Sequence, residues 1–175
     1  MGNLKIIIGD IVSDELLRTH DLIVNPTNPR MVCGGGVSGA IFHKAGVDAL
    51  EEYTAKTYGI DYSNYDNLMK VGEIRITPGF NGGIDIMFAQ GPRAYEYDSE
   101  TALKLLLETY KNIVEAAYEK GYKNILCPSF GTGSYGFEHE NTAKHVMRTL
   151  KESLKGRDIN FSLVIYDEKD AKYYE

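Results

Sequence analysis

The sequence predicts an α/β fold, an open sheet covered by helices on both faces. Three observations lead there. Short apolar runs alternate with stretches of helical period along the whole chain. Two loops, Gly34-Gly35-Gly36-Val37-Ser38-Gly39 and Gly131-Thr132-Gly133-Ser134-Tyr135-Gly136, spell the same G-x-G-x-x-G pattern, each after an apolar run and each opening a helix. The 175 residues suffice for one domain with a real core, taken to span residues 1–175.

Residues 4–8 read as a buried strand that ends at Gly9-Asp10. Ser13 or Asp14 caps a short helix running through Arg18. Residues 22–25 form a second strand, stopped by Pro26 and Pro29. After the first glycine loop a helix covers residues 38–45, and another covers 49–58. Residues 59–70 are rich in Tyr, Asn and Asp without a clean period, which predicts a surface excursion. Its stretch from Tyr58 to residue 65 is a candidate partner surface or a lid over the cleft.

Residues 73–77 and 84–89 are strands joined across Asn81-Gly82-Gly83, a hairpin-like turn. Residues 99–120 form the longest helix, with Leu103, Leu106, Leu107, Tyr110, Ile113, Val114 and Ala117 on one face and Gly121 as its stop. A strand at 124–128, a helix at 139–154, a final strand at 161–166 and a short helix at 170–174 complete the chain.

In open sheets of this kind ligands lie outside the carboxyl ends of strands. Both glycine loops, Asp10 and Asn25 fall at such ends. Glycine lets a backbone turn tightly and approach a ligand with no Cβ between them. A helix start adds unpaired N–H groups and a positive dipole end. One such loop is weak evidence for a phosphate site. Two in one small domain point to a diphosphate gripped from both sides, and hence to a nucleotide-like ligand.

The formal net charge of −6 argues against nucleic-acid or acidic-membrane binding, which needs a basic footprint. An acidic protein that takes an anion must do so locally, through backbone amides. Cys33 and Cys127 cannot build a disulfide scaffold, and neither has metal spacing around it. Cys127 reads as a small core residue. The opening apolar run is too short for a signal peptide, and no run approaches the ~20 residues of a membrane span. The expectation is a cytoplasmic monomer without metal or cofactor.

Asp10 is placed to accept a hydrogen bond from an exocyclic amine such as that of adenine, or else to form a turn. Asn25 and Asn28 bracket Pro26-Thr27; their neutral amides suit sugar hydroxyls, and equally suit a turn. Tyr135 and Tyr166 are candidates to stack on a ribose or base, whereas Phe137 reads as core. His20, His43, His139 and His145 form no metal pair. A hydrolase elbow (G-x-S-x-G), a complete dinucleotide-binding unit and a P-loop are all missing.

Together these segments resemble the macro domain family over residues 9–167. The resemblance is carried by Gly9-Asp10-Ile11, Ile23-Val24-Asn25-Pro26-Thr27-Asn28, Gly34-Gly35-Gly36-Val37-Ser38-Gly39-Ala40-Ile41, Gly72-Glu73-Ile74-Arg75-Ile76-Thr77-Pro78-Gly79, Gly91-Pro92 and Pro128-Ser129-Phe130-Gly131-Thr132-Gly133-Ser134-Tyr135-Gly136. It implies a three-layer α/β/α sandwich with a mixed, about six-stranded central sheet and a cleft for ADP-ribose. It implies that Asp10, with the Ile11 backbone, reads the adenine amine and that Tyr166 packs near it. Gly34, Gly35, Gly36 and Val37, facing Ser129, Gly131, Thr132, Gly133, Ser134 and Tyr135, would hold the diphosphate. Asn25 and Asn28 would serve the sugar, and Asn28, Gly36 and Ser38 would stand at the chemistry.

The resemblance further implies hydrolysis of ADP-ribosyl linkages on proteins or of O-acetyl-ADP-ribose. The alternative is a non-catalytic reader of ADP-ribose, or a sequester of a related nucleotide signal. The chain departs from the family pattern at Ser38, where many hydrolytic members carry aspartate, at Phe42-His43, where many place histidine directly after Gly-Ala-Ile, and at Gly131, where serine is common.

Overall fold

A computed structural model describes residues 2–60, 63 and 66–175, and its apolar runs pair into one sheet. The strands are β1 (Asn3–Ile8), β2 (Leu22–Pro26), β3 (Ile74–Thr77), β4 (Asp85–Ala89), β5 (Asn124–Pro128) and β6 (Asn160–Ile165). Their order is β1-β6-β5-β2-β4-β3. Every pairing is parallel except β3 on β4, which is antiparallel with Ile74 opposite Ala89 and Thr77 opposite Ile86. The sheet is therefore mixed and six-stranded.

The helices are α1 (Asp14–Thr19), α2 (Gly36–Ala45), α3 (Val47–Tyr58), α4 (Ser99–Lys120), α5 (His139–Leu154) and α6 (Glu168–Ala171). Side chains alternate across a strand, and the central strands are apolar on both faces. Leu22, Val24, Met87, Ala89, Ile125, Cys127, Phe161 and Leu163 pack with α4 and α5 on one side. Ile23, Ile86, Phe88, Leu126 and Val164 pack with α1, α2 and α3 on the other. The result is a three-layer α/β/α sandwich. The one polar β6 residue aimed inward, Ser162, is buried and lies 3.2 Å from His20 Nε2.

Local chemistry fixes the helix ends. Ser13 caps α1 by accepting the Leu16 N–H at 3.4 Å, and Asp98 caps α4 by accepting the Thr101 N–H at 2.8 Å. Gly121 ends α4 in the left-handed region at φ +82°, as its sequence position predicts. The β3–β4 connection is longer than a two-residue hairpin turn: it carries a 3-10 turn at Phe80–Gly82, closed by Gly83 at φ +85°.

Three sequence expectations change. The final strand stops at Ile165, so Tyr166 stands beyond it and is 83% exposed. The predicted terminal helix divides into α6 and a 3-10 turn at Lys172–Tyr174. Only the first glycine loop opens a helix; α5 begins at His139, after Phe137 and Glu138. Half of the proposed lid or partner surface at 58–65, positions 61, 62, 64 and 65, lies outside the described residues. At its near end, the Tyr58 hydroxyl donates to the Ile76 carbonyl at 2.7 Å and so ties α3 to β3.

Candidate functional site

A cleft of about 810 Å³ opens over the carboxyl ends of β1, β6, β5 and β2. Its floor includes Pro26, Pro128, Phe130, Val164 and Ile165. Gly35, Gly36, Val37 and Ser38 form part of one wall, and Ser129, Gly131, Thr132, Gly133, Ser134 and Tyr135 part of another. Asp10, Ile11 and Tyr166 line it as well. Both glycine loops thus share one cavity.

The first loop is rigid at its base. The Cys33 N–H donates to Glu51 Oε2 at 2.9 Å, which ties the loop entrance to α3. Burial and the neighbouring Glu51 carboxylate push the Cys33 thiol above its ordinary value. Gly39 has no room for a side chain, because a Cβ there would run into the Gly34 carbonyl. Gly36 starts α2 at φ +59°. The Gly39 N–H donates to the Gly35 carbonyl, while the N–H groups from Gly35 to Ser38 donate to no backbone carbonyl among the described residues. They are the orphan donors of a helix start.

The second loop is braced by side chains. The Ser129 and Thr132 hydroxyls lie 2.8 Å apart, and the Phe137 N–H donates to the Gly131 carbonyl at 2.8 Å. Gly131 sits at φ +74° with the Phe137 ring where a Cβ would point. Serine at this position would therefore displace Phe137. The Tyr135 hydroxyl donates to the Thr27 carbonyl at 3.4 Å and accepts from Gln90 Nε2 at 3.3 Å, which bridges the loop to the ends of β2 and β4. From beneath, Tyr110 of α4 accepts the Phe130 N–H at 2.7 Å. Burial pushes the Tyr110 phenol well above its ordinary range.

Among the described residues no lysine or arginine lines the cleft. The donors that its lining offers an anion are backbone N–H groups, the hydroxyls of Thr27, Ser38, Ser129, Thr132, Ser134 and Tyr135, and the His139 ring. Acids gather at the other end, with Asp10, Asp167 and Asp170 on the lining. Asp10 Oδ1 accepts the Val12 N–H at 3.1 Å, so the residue forms a turn while lining the cleft.

Three predicted contacts are not on the lining: Asn25, Asn28 and Gly34. Asn25 is buried on the α1–α3 side, and neither carboxamide atom has a partner among the described residues. Asn28 is turned to its own loop. Its Oδ1 accepts the Arg30 and Val32 N–H groups at 3.0 and 3.3 Å, and its Nδ2 donates to the Val32 carbonyl at 2.7 Å. Ser38 lines the cleft, and its buried hydroxyl has no partner among the described residues.

Thr27, Gly91, His139, Asp167 and Asp170, none of them assigned a ligand contact from the sequence, also line the cleft. Asp167 follows a strand end as Asp10 does, a signal available in the sequence, whereas Asp170 lies within α6. His139 is held by the chain terminus: its Nδ1 lies 2.7 Å from the Tyr174 hydroxyl and its Nε2 lies 3.7 Å from Asp170. Burial pushes the Tyr174 phenol up to about 12. No group of three potential metal ligands occurs among the described residues, and no helix there is long and apolar enough to cross a membrane.

Comparison with known proteins gives this geometry a context. The family model described as Macro domain matches residues 24–146. The chain is 33% identical to a macro domain-containing protein of Methanosarcina mazei, over 98% of this chain and 86% of that one. It is 27% identical to a protein of Enterobacter sp. (strain 638) named O-acetyl-ADP-ribose deacetylase, over 98% and 91%. The structure resembles an Oceanobacillus iheyensis macrodomain mutant with ADP-ribose (ADPR), at a TM-score of 0.83 and 27% identity, covering 98% of this chain and 89% of that one.

Proposed function

This chain belongs to the macro domain family, and from that premise we propose that it binds ADP-ribose in the cleft and hydrolyses ADP-ribosyl linkages on proteins, or O-acetyl-ADP-ribose. The observation that carries the reading is the convergence of both glycine loops on one cavity that no lysine or arginine lines among the described residues. A diphosphate between them would take up the free N–H groups of the first loop and the helix-start dipole behind them. Asp10 would accept from the adenine amine, with the Ile11 backbone beside it and Tyr166 at the rim. The distal ribose would lie towards Tyr135. Asn28 keeps one Nδ2 hydrogen beyond its bond to Val32, enough to engage a sugar hydroxyl.

In the hydrolytic step, water held between the diphosphate and the distal ribose attacks C1″. The bond from C1″ to the acceptor breaks, a phosphate oxygen of the substrate takes the proton lost by the water, and the departing acceptor leaves with the bonding electrons and receives a proton from that phosphate or from solvent. Gly36 and Ser38 bound that space, and the N–H groups of the loops stabilise the developing charge. We take the working form to be a cytoplasmic monomer.

One observation favours a second reading, a binding module without catalysis. The Ser38 hydroxyl has no partner among the described residues, so no base beside it draws off its proton. Calorimetry with ADP-ribose, run alongside a release assay on ADP-ribosylated protein, separates the two. Release by the wild type supports the enzyme, and tight binding with no release over hours supports the reader. If Asn28 serves the chemistry, Asn28→Ala lowers turnover more than ADP-ribose affinity; equal losses remove it from that role.

A further inference from the structure

The chain leaving β4 runs alongside the second glycine loop. The Ala94 N–H donates to the Tyr135 carbonyl at 2.7 Å, and the Arg93 guanidinium lies 5.0 Å from the centre of the Tyr135 ring. Tyr95 lies against the same loop: a Cβ built on Gly136 would be 3.5 Å from its ring. Tyr135 therefore belongs both to the cleft wall and to this outer face. Yet Tyr95 is 69% exposed and Tyr97 38%. Core packing accounts for neither ring.

The charge around the two rings selects a partner. Glu96, Asp98 and Glu100 are exposed beside them, and the Arg93 charge is met by Glu96 at 3.4 Å. Such a face repels a phosphodiester strand. It attracts lysine and arginine by Coulomb energy and by cation–π contact with exposed tyrosine. The distal ribose, whose C1″ carries the acceptor, lies towards Tyr135 in the reading above.

Resting on that reading, we propose that Tyr95 and Tyr97 receive the polypeptide that carries the ADP-ribosyl group and favour modified residues flanked by lysine or arginine. The cleft holds the nucleotide, and the tyrosine face holds the chain attached to it. Neither ring lines the cleft, so removing them leaves the nucleotide contacts in place.

The test titrates the wild type and a Tyr95→Ala/Tyr97→Ala variant with three probes: free ADP-ribose, a synthetic peptide ADP-ribosylated at one serine with basic flanks, and the same peptide with acidic flanks. The wild type binds the basic peptide about fivefold more tightly than free ADP-ribose, the scale of one or two exposed cation–π contacts, and gains nothing from the acidic one. The variant keeps its ADP-ribose affinity and its melting temperature but loses the fivefold gain. Tyr95→Phe, which keeps the ring, retains it. Equal affinity for all three probes, a preference for acidic flanks, or a basic preference that survives the double substitution overturns the proposal while leaving the cleft reading intact. Failure of the wild type to bind free ADP-ribose overturns the cleft reading and this proposal with it.

Discussion

The two glycine loops share one string of letters and are built in opposite ways. The first is the opening turn of a helix: Gly35 caps α2, Gly39 packs on the Gly34 carbonyl, and α3 anchors the entrance through Glu51. The second has no helix directly behind it. Tyr135, Phe137, the Ser129–Thr132 hydroxyl pair and Tyr110 hold it from the side and from below. A shared pattern thus reports a need, backbone close to a ligand, without reporting how the backbone is held. The first loop depends on helix-start geometry with one side-chain tie to Glu51, and the second on contacts within the loop together with Tyr110 and Gln90 from outside it.

That contrast is open to attack. The largest effect is expected from Gly131→Ser. It forces a side chain into the left-handed region and against the Phe137 ring, and costs roughly 2–4 kcal/mol of stability on typical strain and overpacking figures. A thermal melt and ADP-ribose calorimetry would both fall; a variant as stable as the wild type would show that the second loop is not locked by Phe137. Next comes Tyr110→Phe, which orphans the buried Phe130 N–H and costs about 1–3 kcal/mol in a denaturant titration. An unchanged midpoint would mean that the loop stands without its strut from α4. The smallest effect on the fold belongs to Gly35→Ala, where a Cβ meets nothing within 4 Å. The melt should not move. A methyl facing the ligand should still weaken ADP-ribose about tenfold, or about 1.4 kcal/mol, and an unchanged affinity would remove Gly35 from the diphosphate contact.

Where side-chain period and punctuation suffice, the sequence is read to the residue. Ser99–Lys120, Asn124–Pro128 and His139–Leu154 match their predicted bounds, because an apolar stripe or a buried run with clear stops leaves one interpretation. The antiparallel β3–β4 edge follows from the Asn-Gly-Gly turn, although the connection folds as a 3-10 turn. The site is harder. Period does not say where a side chain goes once a strand has ended, so Tyr166 gives no sign of its exposure. Nor does it show that Asn28 commits its carboxamide to residues 30–32, since that bonding depends on how the loop closes. His139 stands in the cleft wall against a chain terminus that folds back beside it, a contact between residues 35 apart that no local pattern announces.

The lining without lysine or arginine among the described residues has a consequence for how the cleft responds to its medium. A pocket of fixed cations loosens as dissolved salt rises, because mobile ions compete for the same long-range field. Amide dipoles act at hydrogen-bonding range, inside the first layer of solvent, where that competition is weak. A pyrophosphate gripped in this way would be retained at high ionic strength almost as firmly as in dilute buffer, even though the protein around it carries an excess of negative charge.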